Sequence, residues 1–425
     1  MTMLADLLST VFDRRVKFAN LFSDDARSTE DLAAALVNAS SEGEGRALGQ
    51  LILTRFAEMD DDRKRAFFRH VAEEMNIDPE AVRGALSTYE ADPGRASYKS
   101  FLLAAEPQRQ ELIRRLNMVP NATGQLVNMR ADLLRLSEGD PSLEALDIDF
   151  RHLFASWFNR GFLVLRPINW QSPAHILEKI IAYEAVHAID SWEDLRRRLE
   201  PADRRCFAFF HPAMPDEPLI FVEVALTLGI PGSVQNLLSE ERAGILADDA
   251  DTAVFYSISN CQAGLAGISF GNSLIKQVAA DLSLELPGLK TFVTLSPIPG
   301  FSRWLSDTLP EASAEDHDLM RAMAAHYLVA AKRPDDTPRD PVARFHLGNG
   351  AQVQMVHAQA DVSEKGLQQS HGVMVNYLYD LTKVAQNHEH FAVQNKIAMS
   401  SEIRSLSQSA AKTLKQGVVD DKPAL

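Results

Sequence analysis

The chain has 425 residues, of which 46% are hydrophobic, and this length corresponds to about two ordinary domains. The formal net charge of -15 argues against nucleic-acid binding, which requires a basic surface. Two cysteines do not make a disulfide framework, no apolar run approaches the ~20 residues that cross a membrane, and no secretory leader is evident. These features predict a cytoplasmic protein that binds neither nucleic acid nor membrane.

Residues 1–155 are expected to form a helical N-terminal domain. Apolar residues recur there at helical spacing, as at Leu126, Met129 and Leu133, and short polar breaks separate such segments. Asp78 and Asp140 each precede a proline, which favours a helix start because the first helical position needs no N–H. The pattern is typical of an antiparallel helical bundle.

The pattern changes near residue 156. Short runs of β-branched and aromatic residues alternate there with helical segments, which predicts a mixed α/β domain over residues 156–395. Strands are expected at 161–165, 206–210, 219–226, 252–258 and 290–295. Helices are expected from 173 to about 183, over 301–335 and over 373–386. Residues 396–425 are polar and are predicted to form a C-terminal tail.

A glycine-containing segment joins the strand at 252–258 to a helix near Leu274. It holds three glycines, Gly264, Gly267 and Gly271. Glycines allow the backbone to approach a pyrophosphate, and the first-turn N–H groups of a helix bind phosphate. Lys276 or Lys290 is a candidate partner for a ribose phosphate. The order of strand, loop and helix resembles the core of GNAT-like acyltransferases, but no P-loop ending is present, so an ordinary strand-to-helix turn is the alternative.

Two further side chains are candidates for catalysis. Ser296 follows a strand in a turn that two prolines make rigid, so its hydroxyl is held in place. His346 precedes a Gly-Asn-Gly turn and belongs to the residue type that delivers protons near neutral pH. Taken alone, each also fits a structural role, as a turn serine or a solvated histidine. His388 and His390 are expected to be solvated and not to bind metal, because helix positions two apart face different directions.

Together these segments resemble the malonyl-CoA decarboxylase family. The matching residues run in order from Trp170 to Tyr379, and the most specific motifs are Ser-Pro-Ile-Pro-Gly-Phe at 296–301 and Phe-His-Leu-x-Asn-Gly-Ala at 345–351. The resemblance implies an α+β, two-domain fold: an all-helical N-terminal bundle followed by a GNAT-like mixed α/β catalytic domain. The segment at 260–264 departs from the family, because animal members have a Thr-Gln-Gln-Gly type of sequence there.

The resemblance also implies a site. The catalytic residues would be Ser296, His346 and Tyr379. The substrate-binding residues would be Ser296 and His346 together with the segment Ala266, Gly267, Ile268, Ser269, Phe270, Gly271 and Asn272.

The implied reaction converts malonyl-CoA to acetyl-CoA and CO2. The thioester accepts the electrons of the broken bond, so neither a cofactor nor a metal is expected. A homodimer or homotetramer, formed through the helical domains, is the implied assembly. The alternative functions are a GNAT-like acyl-CoA acyltransferase, which would need an acceptor nucleophile, and a non-catalytic acyl-CoA-binding sensor.

Overall fold

A computed structural model describes residues 25–268 and 274–420. Within these ranges the chain forms two compact units, one made of residues 25–159 with 262–268 and the other of residues 160–261 with 274–420. None of the helices in the described ranges combines the length and the apolar character that crossing a membrane requires.

The first unit is helical. Its helices are α1 Thr29–Asn38, α2 Glu42–Glu58, α3 Asp61–Glu74, α4 Pro79–Ala91, α5 Arg95–Ala105, α6 Gln108–Leu116, α7 Ala122–Leu136 and α8 Pro141–Trp157. Asp78 accepts hydrogen bonds from the first-turn N–H groups of α4, and Asp140 does the same for α8, so both predicted helix starts are confirmed. Leu126, Met129 and Leu133 are buried on one face of α7, as their spacing predicts.

The second unit alternates strands and helices. Its elements are β1 Val164–Ile168, α9 Ala174–Tyr183, α10 Trp192–Leu199, β2 Arg204–His211, β3 Met214–Thr227, α11 Val234–Leu238, β4 Thr252–Asn260, α12 Leu274–Glu285, β5 Thr291–Thr294, β6 Ser296–Pro297, α13 Phe301–Thr308, α14 His317–Ala330, α15 Pro341–Gly348, β7 Gln352–His357, α16 Glu364–Ser370, β8 Met374–Leu378, α17 Val384–Gln394 and α18 Ser401–Asp420. A helical region followed by a mixed sheet with helices is the fold class that the sequence predicts, and it is confirmed.

One mixed sheet forms the core of this unit. The strand order is β1-β2-β3-β4-β5-β8-β6, and β7 also pairs with β8. Strands β1 to β4 are antiparallel neighbours, whereas β4 and β5 run parallel and are joined through α12. A parallel pair requires such a crossover connection. The predicted strands at 206–210, 219–226, 252–258 and 290–295 all appear in this sheet.

Three predicted elements differ from the structure. The strand expected at 161–165 begins later, because Arg160–Phe162 form a 3-10 turn and β1 spans Val164–Ile168. Residues 373–386 do not form one helix, because residues 374–378 are strand β8 and helix α17 begins only at Val384. The backbone of β8 pairs with β5, β6 and β7, and these pairings outweigh the local helical spacing. The helix expected over 301–335 is interrupted between Thr308 and His317, which leaves α13 and α14.

The region predicted as a polar tail includes a helix. Ile403 and Ala410 of α18 are buried, and their spacing of seven residues places them on the same helical face. Helix α18 packs against α14, where Arg321 forms an ion pair with Glu402 at 2.6 Å. The apolar face of α18 is narrow, which is why the composition of this region appears uniformly polar.

Candidate active site

Ser296 lies where the chain leaves β5 and meets β8. The short strand β6 pairs Ser296 with Val375 of β8, and the N–H of Leu295 donates to the carbonyl of Phe255 on β4. The side chain of Ser296 is buried. The turn that follows holds Pro299 and leads into α13, so the hydroxyl has a fixed position at the end of a central strand, as the sequence predicts.

His346 lies in the last turn of α15. This helix begins at Pro341, and the Asp340 carboxylate accepts a hydrogen bond from the N–H of Ala343 at 2.8 Å. The imidazole of His346 stacks on the ring of Tyr377, with ring centroids 4.5 Å apart and planes inclined by 23°. Helix α15 and strand β8 therefore orient the imidazole together.

Three of the predicted residues contact one another. The Ser296 Oγ is 3.2 Å from Nε2 of His346, and Nδ1 of His346 is 2.9 Å from the phenol oxygen of Tyr379. Tyr379 follows β8, and its N–H donates to the carbonyl of Phe292 on β5 at 2.8 Å. A hydroxyl, an imidazole and a phenol thus form one continuous set of hydrogen bonds.

Burial controls the protonation of this set. It lowers the pKa of His346 to about 3 and raises the pKa of Tyr379 well above its ordinary range. Both shifts arise because a charged form loses hydration in the interior of the protein. At neutral pH the site therefore holds a neutral imidazole and a neutral phenol.

Two residues that the sequence analysis did not single out support Ser296. The Ser296 hydroxyl donates to Oγ1 of Thr294 at 2.8 Å, and the carbonyl of Thr294 accepts a hydrogen bond from the amide of Asn376 at 2.8 Å. Thr294 was detectable in principle, because residues two apart in a strand point to the same side of the sheet. Asn376 lies on β8, which the sequence analysis assigned to a helix, so its position next to β5 was not predictable.

The glycine-containing segment is described in part. Residues 262–268 belong to the helical unit, where the Arg130 guanidinium donates to the carbonyls of Gly264 and Ala266 at 2.7 and 2.9 Å. A Cβ on Gly264 would lie 1.8 Å from the carbonyl oxygen of Val127, so only glycine fits there. Gly267 has a φ of +73°, which also favours glycine.

The remaining predicted residues have the following positions. Ile268 is buried at the end of the described part of the segment, whereas Ser269, Phe270, Gly271 and Asn272 lie outside the described residues. Lys276 lies in the first turn of α12, and burial together with nearby Arg160 lowers its pKa. Lys290 directly precedes β5.

No group of three or more His, Cys, Asp or Glu residues within the described ranges is arranged to hold a metal ion. His388 is not simply solvated, because its Nδ1 lies 2.7 Å from the carbonyl oxygen of Gly348. The side chain of His388 therefore links α17 to the end of α15 through a hydrogen bond.

Comparison with known proteins defines the family. The family model described as the malonyl-CoA decarboxylase N-terminal domain matches residues 75–158, and the model of the C-terminal domain matches residues 161–319 and 310–417. The mitochondrial malonyl-CoA decarboxylase of Mus musculus is 33% identical over 360 residues, which cover 71% of this chain and 72% of that protein. The homologue from Anser anser anser is 32% identical over 351 residues, covering 70% of this chain and 69% of that protein.

Solved structures agree with this comparison. The malonyl-CoA decarboxylase of Rhodopseudomonas palustris is 47% identical and has a TM-score of 0.84, covering 89% of this chain and 98% of that one. The malonyl-CoA decarboxylase of Agrobacterium vitis is 48% identical with the same TM-score and covers 89% of this chain and 99% of that one. The family model and these relatives define a carboxy-lyase. The chain belongs to the malonyl-CoA decarboxylase family.

Proposed function

We propose that this enzyme converts malonyl-CoA to acetyl-CoA and CO2 with Ser296 and His346 as its catalytic pair. The observation that carries the proposal is the contact of 3.2 Å between Ser296 Oγ and His346 Nε2 in a buried site. A decarboxylase needs groups that orient the carboxylate, stabilise the developing enolate and protonate carbon. The hydroxyl and the imidazole match these requirements in chemistry and in position.

The substrate itself supplies the electron sink. When the bond between the carboxylate carbon and the α-carbon breaks, its electron pair moves into the thioester carbonyl and forms an enolate. A proton then returns to the α-carbon and yields acetyl-CoA. Because the thioester can hold the electron pair, the reaction proposed here requires neither a metal nor an organic cofactor.

Each residue of the site has a role in this proposal. When substrate binds, the Ser296 hydroxyl turns its hydrogen from Thr294 to the departing carboxylate or the enolate oxygen, an interaction worth ~3–4 kcal/mol in comparable sites. His346 donates the proton to carbon, and general acid catalysis of this kind contributes ~100- to 10000-fold. Tyr379, which contacts the other ring nitrogen of His346 at 2.9 Å, is placed to restore the proton that the imidazole gives up.

The glycine-containing segment is proposed to bind the CoA part of the substrate. Gly267, with its positive φ, allows the backbone to approach a phosphate closely. Ala266 and Ile268 flank Gly267, and the residues from Ser269 to Asn272 complete the proposed segment. We propose in addition that the enzyme acts in the cytoplasm as a homodimer or homotetramer, an assembly that light scattering of the purified chain measures.

The catalytic pair can be tested with three variants. Ser296→Ala and His346→Gln should each lower kcat by roughly 100-fold or more, because each removes a group that acts on the transition state. Tyr379→Phe should lower kcat less, because it removes the source of the replacement proton and leaves the imidazole. Initial rates of acetyl-CoA formation give these values, and circular dichroism confirms that each variant is folded. A folded Ser296→Ala or His346→Gln enzyme with full activity would remove that residue from the mechanism.

A further inference from the structure

The hydroxyl of Ser296 has a single hydrogen, and the direction of that hydrogen determines how His346 is protonated. The hydroxyl donates to Oγ1 of Thr294 at 2.8 Å, so it has no hydrogen to offer to His346. The Nε2 atom of His346 nevertheless lies 3.2 Å from the same oxygen. This second contact is a hydrogen bond only when Nε2 carries a hydrogen and donates it to Ser296.

The other side of the imidazole agrees with this assignment. Nδ1 of His346 is 2.9 Å from the phenol oxygen of Tyr379. Because burial keeps the imidazole neutral, only one of its two nitrogens is protonated. With the hydrogen on Nε2, Nδ1 is the acceptor and Tyr379 the donor. The hydrogens then point in one direction along the chain from Tyr379 through His346 and Ser296 to Thr294.

Thr294 is held so that its oxygen cannot turn away from Ser296. Its Oγ1 also accepts a hydrogen bond from the N–H of Tyr377 at 3.1 Å, and its side chain is fully buried. The Asn376 amide donates to the Thr294 carbonyl, and the oxygen of that amide contacts Nε2 of His357 at 2.5 Å. Two neighbouring strands therefore fix both the backbone and the side chain of Thr294.

We infer that Thr294 is a positioning residue that sets the tautomer of His346 in the enzyme without substrate: by accepting the hydrogen of Ser296, it leaves the hydrogen of the imidazole on Nε2, the nitrogen next to Ser296. This inference deepens the proposed function and rests on it for its catalytic meaning. A threonine at this point acts through Ser296 and touches no substrate. Its contribution is to exclude the tautomer in which Nε2 has no proton to give.

The proton transfers balance in this arrangement. The Nε2 proton moves to the α-carbon as the enolate collapses, and the phenol proton of Tyr379 moves to Nδ1. Hydronium from the solvent then supplies a proton to Nε2 and leaves water, and the phenol recovers its own proton from Nδ1. One solvent proton is consumed in each turnover, which matches the replacement of a carboxylate by a C–H bond.

The tautomer is measurable in the resting enzyme. Two-bond 1H–15N correlation spectra of protein labelled with 15N-histidine distinguish Nε2–H from Nδ1–H, and the His346→Gln variant identifies the signal of His346. We expect wild-type His346 to be neutral and protonated on Nε2 at pH 7. A hydrogen on Nδ1 in the wild-type protein would overturn the inference without any substitution at Thr294.

Two substitutions connect the tautomer to catalysis. In Thr294→Val the Ser296 hydrogen is free to turn to Nε2, so His346 should become protonated on Nδ1 and kcat should fall by roughly 100-fold with KM little changed. Thr294→Ser keeps the accepting oxygen and should keep both the wild-type tautomer and most of the activity. A folded Thr294→Val enzyme with the wild-type tautomer and kcat would overturn the inference.

Different results would contradict the proposed function and the inference about Thr294. The spectrum reports on the enzyme without substrate, so it tests the role of Thr294 whether or not malonyl-CoA is turned over. Absence of turnover by a protein with His346 on Nε2–H would contradict the proposed function only. Turnover by a protein with His346 on Nδ1–H would contradict the inference only.

Discussion

His346 is a histidine that the fold keeps neutral. Its side chain is 3% exposed, and its partners within hydrogen-bonding distance are two hydroxyl oxygens, those of Ser296 and Tyr379. Among the described residues no carboxylate hydrogen-bonds the imidazole to compensate a positive charge, and desolvation by burial lowers the pKa of His346. In the proposed mechanism the imidazole donates a proton while it receives another at its opposite nitrogen, which lies 2.9 Å from the phenol oxygen of Tyr379.

This burial predicts a pH-dependent stability. The pKa of His346 is about 3 in the folded protein and near 6.5 in the unfolded chain. Between these values the unfolded state binds a proton that the folded state does not, so the free energy of unfolding falls as the pH drops from 6.5 towards 3. From pH 7 to pH 5 the free energy of unfolding of the wild-type protein should fall by about 2 kcal/mol more than that of His346→Gln.

Urea denaturation of both proteins at the two pH values measures this difference. His187, whose pKa burial lowers to about 4, is present in both proteins, so its contribution cancels. Equal losses in the wild-type protein and in His346→Gln would contradict a neutral, buried His346.

Ser296 and Thr294 illustrate what the sequence can reveal at this scale. The two prolines near Ser296 and the motif around it identify its hydroxyl as a positioned one. That Thr294 accepts the Ser296 hydrogen depends instead on β8, which supplies the N–H of Tyr377 and the amide of Asn376. Tyr377 and Asn376 are 83 and 82 residues away from Thr294 in the chain. The residue pattern around Ser296 therefore does not predict these contacts.

At the scale of elements, helix α15 carries His346 and depends on its N-cap. Asp340 is buried and accepts the hydrogen bond of the Ala343 N–H, and burial raises the pKa of Asp340 to about 6. Asp340→Ala removes the cap and should cost about 1 kcal/mol of unfolding free energy, with a lower kcat because α15 no longer holds His346 in place. Asp340→Asn keeps a capping oxygen and should preserve both quantities better.

Urea denaturation and initial rates on the two Asp340 variants test this role. Equal stability and equal kcat in Asp340→Ala and Asp340→Asn would show that the cap does not position His346.

Strand β8 is the element that the sequence analysis assigned wrongly. Residues 373–377 are all buried, so neither the two-residue period of a strand nor the period of a helix separates an inner from an outer face. The apolar residues that continue into α17 then favour a helix locally. Pairing with β5, β6 and β7 decides the outcome, and this pairing is a property of the folded sheet.

At the scale of the whole molecule, the division into a helical and a mixed α/β region was predictable, but the placement of residues 262–268 was not. The change in residue pattern near 156 marks the division between the two regions. The placement of residues 262–268 depends on Arg130, which is 1% exposed. Its guanidinium donates to the carbonyls of Gly264 and Ala266, which lie 134 and 136 residues further along the chain. A buried arginine with such partners has no local signature, because arginines are usually exposed.

The central claim, that this chain is a malonyl-CoA decarboxylase in activity as well as in family, is tested most directly by a single incubation. Purified protein, dialysed against a chelator, is mixed with malonyl-CoA in the absence of any acceptor amine, and acetyl-CoA and CO2 are quantified over time. We expect acetyl-CoA and CO2 to form in equal amounts. Unchanged malonyl-CoA, or acyl transfer that begins only when an amine is added, would contradict the account.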